Sequence, residues 1–242
     1  MQTKAIILGA GMGTRMHSPI PKVLHKICGK PMVNVLINTL EEAGIKDIIV
    51  VVGSNMDAVK QTVAPYKTVE QTERLGTAHA VLQAKEDIQP FDGTLLVLYG
   101  DSPLVKPETI KKIVQKCEDG TDVVVMGFLP QDTRRYGRLL MGADGLECII
   151  EYKDATDEQR AIKLCNSSVM AINGKYALEL LKEVKNDNVG GEYYLTEVVK
   201  IAKEKGLSRD VIICDVEEAH GVNTPEELAT AELILKKRNG EV

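Results

Sequence analysis

The chain has no C-x-x-C pair: its five cysteines, Cys28, Cys117, Cys148, Cys165 and Cys214, are scattered and odd in number. Such a set excludes a disulfide framework or a cysteine zinc site and reads as reduced thiols. No apolar run approaches the roughly eighteen residues of a membrane-spanning helix, and no cationic-then-apolar leader opens the sequence. A membrane span and a secretory signal are therefore not expected, and the reading is a cytoplasmic protein. Positive charge is also short: 30 Lys and Arg against 35 Asp and Glu leave a formal net charge of −5. That argues against a general nucleic-acid surface, so neither nucleic acid nor membrane is an expected partner. His17, His25, His79 and His220 lack the spacing of a metal or nucleophile site. Internal repeats and low-complexity tracts are missing as well.

What is present is an ordinary globular composition. The 242 residues, 44% hydrophobic and 27% charged, suffice for one large α/β domain or a domain with a small extension. Apolar runs at 5–8, 48–52, 95–99 and 123–126 read as strands, with helical patterns at 32–40, 57–63, 77–85 and 107–117. Continuous apolar strands alternating with helices imply a mostly parallel sheet covered on both faces. The second half is less regular. Segments 138–141 and 148–152 flank Gly142-Ala143-Asp144-Gly145 as a β-hairpin. A strand at 168–172, a helix from about Gly174, a polar loop at 186–191, a helix at 196–203 and a strand at 211–214 follow. The last helix runs from Thr224 or Pro225 to about Lys237.

The first strand opens into Leu8-Gly9-Ala10-Gly11-Met12-Gly13-Thr14-Arg15-Met16, with Pro21-Lys22 shortly after. Alternating glycines bring bare backbone N–H groups close to an anion. Arg15 and Lys22 add two cations within reach of the same loop, a combination that suits a triphosphate. Two other glycine motifs are excluded. The dinucleotide fingerprint needs glycine where Thr14 stands and an acid roughly twenty residues on, where the chain reads Lys26-Ile27-Cys28-Gly29-Lys30-Pro31. The P-loop needs Gly-Lys-Ser/Thr, which does not occur at that spacing.

Asp101 follows Leu98-Tyr99-Gly100 at a strand's carboxyl end, where α/β sheets bind ligands. A carboxylate there suits Mg²⁺, which takes one or two carboxylates plus phosphate oxygens and water; Asp-Ser-Pro is also good turn chemistry. Asn223 precedes Thr224-Pro225, a cap and first helical residue, so it reads either as a turn residue or as a second metal ligand. Glu151-Tyr152-Lys153-Asp154 and Lys163-Leu164-Cys165-Asn166-Ser167-Ser168 supply carboxylate and amide groups at strand ends. Such groups can be solvated termini or the directional partners of sugar hydroxyls. Gln71 to Thr77 places a glycine and a capping hydroxyl at a helix start.

The glycine loop with Pro21-Lys22 resembles the L-A-A-G-x-G-T-R-M…P-K signature of sugar nucleotidyltransferases. The likeness is strongest to the uridyltransferase domains of bifunctional N-acetylglucosamine-1-phosphate uridyltransferases/glucosamine-1-phosphate acetyltransferases. Further blocks agree in order and spacing over nearly the whole chain: Leu75-Gly76-Thr77-Ala78-His79-Ala80, Leu98-Tyr99-Gly100-Asp101, Tyr136-Gly137-Arg138, Glu151-Tyr152-Lys153-Asp154, Gly191-Glu192-Tyr193-Tyr194 and Gly221-Val222-Asn223.

The resemblance implies a Rossmann-like nucleotidyltransferase fold with a small β-rich sugar-binding insertion. It divides the chain into a nucleotidyltransferase domain at 1–225 and a C-terminal helix at 226–242. The nucleotide part of that domain is about 1–130 and the sugar part about 131–225. It implies that Leu8, Ala10, Gly11, Gly13 and Thr14 surround the nucleotide, with Gln71, Gly76 and Thr77 reading the uracil. Arg15 and Lys22 would hold the UTP phosphates as catalytic cations, and Asp101 and Asn223 the Mg²⁺ cofactor. Tyr99, Gly100, Gly137, Glu151 and Asn166 would border the N-acetylglucosamine, with Lys153 a weaker candidate. The expected reaction joins UTP and N-acetylglucosamine 1-phosphate into UDP-N-acetylglucosamine and pyrophosphate, a step that serves peptidoglycan synthesis. Three departures stand out: Met12 where relatives carry a base, Gly9-Ala10 for Ala-Ala, and Asn166-Ser167-Ser168 for Asn-Thr-Gly. Met12 and Ser167-Ser168 keep open glucose 1-phosphate or another nucleoside triphosphate as substrate; a nucleotide-sugar binding module without turnover is the non-enzymatic alternative, against which Arg15, Lys22, Asp101 and Asn223 together argue. The hexapeptide repeats of an acetyltransferase half do not occur, so no acetyl transfer is expected.

Overall fold

The computed structural model describes residues 1–241; residue 242 and the side chain of Ser168 lie outside the described part. Its strands are β1 (Gln2–Leu8), β2 (Lys26–Ile27), β3 (Lys30–Pro31), β4 (Asp47–Gly53), β5 (Lys67–Gln71), β6 (Gly93–Tyr99), β7 (Val123–Phe128), β8 (Arg138–Gly142), β9 (Gly145–Ile150), β10 (Cys165–Asn173) and β11 (Arg209–Ile213). The helices are α1 (Met32–Glu42), α2 (Asp57–Thr62), α3 (Thr77–Leu82), α4 (Pro107–Glu118), α5 (Asp157–Arg160), α6 (Ala177–Glu183), α7 (Glu197–Glu204) and α8 (Pro225–Arg238). The main sheet runs β11-β7-β10-β6-β1-β4-β5, and the β8–β9 hairpin joins it through β10.

The apolar runs explain the layers. Successive residues of a strand point to opposite faces, so Ala5 and Ile7 pack with Leu36, Leu40, Ile110 and Ile113 of α1 and α4. Ile6, Leu95 and Val97 face the other way, against Ala78 and Val81 of α3 and Val198 and Val199 of α7. Strands buried on both faces leave no room for polar alternation, which is why they read as unbroken hydrophobic runs.

The short elements β2, β3 and α5 are absent from the sequence reading, and four others differ from it. Strand β5 (Lys67–Gln71) is half exposed, so its polar KTVEQ pattern carried no apolar signal. Helix α3 stops at Leu82, and α6 starts three residues after Gly174, with Tyr176 as its N-cap. Finally, β10 is antiparallel to both β6 and β7, within a mostly parallel sheet. The chain leaves β7 and returns through the β8–β9 hairpin and the four-residue α5 instead of a long helical crossover. With no crossover to carry it back, β10 enters beside the end of β7, Cys165 opposite Phe128. Its first residues, including Asn166, therefore lie at the carboxyl edge of the parallel strands.

A third, smaller cluster locks α8 in place. Ala231 and Val222 pack with Met16, Ile27, Met32 and Leu104, beneath the exposed stretch of the glycine loop. Thr224 caps α8 by accepting the Glu227 N–H at 3.2 Å. Arg238, in its last turn, donates to the Leu104 carbonyl at 2.6 Å. No helix among the described residues is long and apolar enough to cross a membrane.

Candidate functional site

The glycine loop leaves β1 flat against β4: Gly9 N–H donates to the Val51 carbonyl at 2.8 Å. Gly13 turns the chain with φ of +63°, and a Cβ there would sit 2.6 Å from Lys22 Cβ. The turn at Thr14–Met16 then buries Met16 and leaves Arg15 exposed. Lys22 follows on a second tight turn, Lys22–Leu24, with Val23 buried beside Gly100. Gly100 continues the ladder by donating to the Leu8 carbonyl at 3.0 Å, and this sets Asp101 next to Lys22.

Two cavities meet here. One, of about 260 Å³, lies among Leu8, Ala10, Gly11, Gln71, Gly76 and Thr77. The other, of about 560 Å³, lies among Arg15, Arg134, Arg135, Tyr136, Asn166 and Asn223. Lys22, Tyr99 and Asp101 line both. The structure thus brings together most residues singled out from the sequence. Glu151 and Gly137 line neither cavity, but they adjoin Asn166: Asn166 N–H donates to the Gly137 carbonyl at 2.9 Å, and a Cβ on Gly137 would lie 3.6 Å from Glu151 Oε1. Thr14 lines neither cavity and has an exposed side chain.

In the smaller cavity Gln71 is buried, and its amide Nε2 donates to the Gly76 carbonyl at 3.0 Å. Arg74, which the sequence reading passed over, donates from Nε to the Ala10 carbonyl at 2.9 Å and joins that wall. One correction concerns Thr77. Its hydroxyl does not cap α3, whose N-cap is Gly76 without a side-chain bond; it accepts the Leu195 N–H at 2.8 Å instead. The reason is tertiary: the 191–196 loop is laced onto 75–78 by bonds from Tyr193 N–H to Leu75 and from Ala78 N–H to Tyr193. Burial pushes the Tyr99 phenol upward, relieved by its hydrogen bond with Thr77 and reinforced by Glu151 and Asp101. Glu151 is likewise raised by burial, against a hydrogen bond from Thr196 at 3.3 Å.

In the larger cavity the Lys22 ammonium donates to both Asp101 Oδ2 and Asn223 Oδ1, the second at 3.0 Å. Asp101 and Asn223 are held facing each other by the bond from Val222 N–H to the Asp101 carbonyl, 2.8 Å. Glu227 accepts the Asn223 N–H at 2.8 Å and fixes the loop from behind. One carboxylate and one amide oxygen thus converge on a single cationic position. Two hard oxygen donors with space for phosphate oxygens and water fit Mg²⁺. No group of three or more His, Cys, Asp or Glu side chains that could hold a metal occurs among the described residues, so a closed protein cage is not available.

Sequence reasoning missed Arg134, Arg135 and Glu227, which bring charge to the larger cavity. The two arginines sit in an exposed polar stretch, where a single sequence offers no periodic signal, and Glu227 reads as one more acidic residue in the first turn of α8.

Comparison with known proteins places the chain in a family. Residues 5–169 match the MobA-like NTP transferase domain. The chain is similar to "Bifunctional protein GlmU" of Rhodospirillum rubrum, 52% identical over 239 residues, 98% of this chain and 54% of the relative. The protein of that name from Paramagnetospirillum magneticum is 48% identical over 235 residues, 96% and 52% of the two chains. That from Brucella anthropi is 45% identical over 238 residues. The chain spans about half the length of these curated relatives. The glycine loop and the strand-end aspartate both fall within the matched span, and the chain belongs to the MobA-like NTP transferase domain family.

Proposed function

We propose that the chain transfers a uridylyl group from UTP to N-acetylglucosamine 1-phosphate, releasing pyrophosphate and forming UDP-N-acetylglucosamine. The observation that carries this reading is the pair of cavities that share Lys22, Tyr99 and Asp101. One has buried amide and backbone groups suited to a base, and the other has cations and an amide suited to a sugar phosphate. The similarity to the bifunctional GlmU proteins supports the substrate pair. In this reading 1–225 is the transferase unit, with its nucleotide part at about 1–130, and the C-terminal segment that follows carries α8, which braces it.

A sugar phosphate is already an anionic nucleophile at neutral pH, so no covalent enzyme intermediate is required. Its phosphate oxygen attacks the α-phosphorus of UTP, and the bond to the β,γ-pyrophosphate breaks. Arg15 and Lys22 offset the repulsion between the two anions and stabilise charge on the departing pyrophosphate. Backbone N–H groups from Ala10 to Thr14 cradle the triphosphate, and Gln71, Gly76 and Thr77 read the base. Gly100, Gly137, Glu151 and Asn166 hold the sugar. Asp101 and Asn223 are the residues that would hold Mg²⁺, which when bound supplies electrostatic stabilisation of phosphate charge. The Ser167 hydroxyl, in the wall of the larger cavity, donates to the Met126 carbonyl at 2.7 Å and so keeps only its acceptor capacity for a ligand.

Pyrophosphate release from purified protein with Mg²⁺ and UTP tests the reading, with N-acetylglucosamine 1-phosphate and glucose 1-phosphate as parallel acceptors. Faster release with the N-acetylated sugar is the expected result. Preference for glucose 1-phosphate moves the acceptor, and absence of release with folded, UTP-binding protein overturns the transferase reading.

A further inference from the structure

The larger cavity carries more positive charge than the residues discussed so far use. Its walls hold the cations Arg15, Lys22, Arg134 and Arg135 against the carboxylates Asp101 and Glu227, an excess of two positive charges in a chain of net charge −5. Three of those cations are engaged. Lys22 is paired with Asp101, Arg15 donates to Asn223 Oδ1 at 2.9 Å, and Arg134 lies 3.7 Å from Glu227. Among the described residues, Arg135 alone of the four has neither an ion pair nor a side-chain hydrogen bond.

The segment that presents it is built, not loose. Arg138 is 1% exposed and has no carboxylate partner; its guanidinium instead donates to the carbonyls of Tyr136, Arg134 and Arg160 and to Thr133 Oγ1. Burying a guanidinium is expensive unless its donors are used. Here every one of those bonds but the Arg160 one ends on residues 133–136. The Tyr136 ring stands edge-on to Phe128 with centroids 4.9 Å apart, which pins the same segment to the core. The result is a fixed shelf that holds an uncompensated guanidinium at the mouth of the sugar-side cavity. Met12, at the tip of the glycine loop, is 59% exposed and brings no charge.

We propose that Arg135 binds the phosphate of the acceptor sugar 1-phosphate; this rests on the transferase reading above. A planar guanidinium with free donors matches a phosphate monoester by paired hydrogen bonds. Arg135 therefore raises affinity for the acceptor, while the triphosphate stays with the glycine loop, Arg15 and Lys22.

The test compares wild type with Arg135→Ala and Arg135→Lys, and with Lys112→Ala on the exposed face of α4 as a control for general charge. Steady-state kinetics give KM for each substrate. Calorimetric titration of N-acetylglucosamine 1-phosphate, with Mg²⁺ and the α,β-methylene analogue of UTP present, gives affinity without turnover. For Arg135→Ala we expect roughly a tenfold or larger rise in acceptor KM and Kd, the scale of one charge-assisted bond. UTP KM should stay within about twofold, and Arg135→Lys should recover part of the loss. Unchanged acceptor binding, a loss confined to UTP, or an equal loss in Lys112→Ala overturns the proposal. Wild-type protein that binds the sugar phosphate but releases no pyrophosphate sinks the transferase reading and leaves Arg135 standing. Turnover with an unaffected Arg135→Ala does the reverse.

Discussion

Arg15 and Asn223 stand 208 residues apart in sequence, and Nη2 of the arginine donates to Oδ1 of the asparagine at 2.9 Å. The glycine loop and the loop before α8 are thereby clasped across the larger cavity. Lys22 joins the same amide oxygen, so one asparagine organises both loop cations. Charge-stabilising groups work when they are held in place before the reaction, since reorganisation then costs nothing at the transition state.

Arg15→Ala should lower kcat by roughly 10²–10³, the scale for one oriented charge-stabilising donor. Asn223→Ala should lower it too and raise the Mg²⁺ concentration needed for half-maximal rate. Because the two side chains act as a unit, the double variant should lose less than the product of the single losses. Steady-state kinetics over a Mg²⁺ series measure all three; strict additivity would show that the clasp has no part in rate.

Arg138→Leu should cost about 2–4 kcal/mol in denaturant unfolding, because carbonyls of the 133–136 shelf lose their buried donor. Acceptor KM should rise with it while UTP KM holds, since the shelf borders only the larger cavity. A variant as stable as wild type would mean that water replaces the guanidinium.

The buried frame of this site was largely legible in the sequence. The runs at 5–8, 48–52 and 95–99 are strands because strands covered on both faces must be apolar throughout, and the glycine loop and Asp101 follow two of them directly. What escaped was set by tertiary contact. The polar KTVEQ of β5 is a strand through its pairing with β4, and the reversal of β10 depends on the missing crossover. Thr77 has the residue type of a cap but is taken by Leu195 from 118 residues away. Arg135 sits in an exposed stretch where only the fold shows that its neighbours are rigid.

Gly76→Ala should damage base recognition and stability together. Gly76 has φ of +123°, and a Cβ there would lie 2.5 Å from the Tyr193 carbonyl oxygen, a backbone atom that the bond from Ala78 holds in place. Strain at such a φ adds to the collision, for a total of at least about 2 kcal/mol. Thermal unfolding and UTP binding by calorimetry should both report the change; normal UTP affinity would remove Gly76 from the base pocket.

Glu151 couples the sugar side of the site to pH. Burial raises its carboxyl above the ordinary carboxylate range, with the Thr196 hydroxyl partly opposing. The folded state thus binds this proton more tightly than the unfolded state does, so stability is greatest below the unfolded value of about 4.3 and falls as pH rises through the raised folded value. Above that window the ionised side chain remains a standing cost. Glu151→Gln removes the charge and keeps the shape, so its Tm relative to wild type should climb between pH 4 and pH 7. Its affinity for N-acetylglucosamine 1-phosphate should fall by roughly tenfold, the loss expected when a charged acceptor of hydroxyl donors becomes neutral. Melting curves across that range, paired with calorimetry at pH 7, separate the two effects. A Tm difference that stays flat with pH would place the Glu151 carboxyl at its ordinary value and remove burial as the cause.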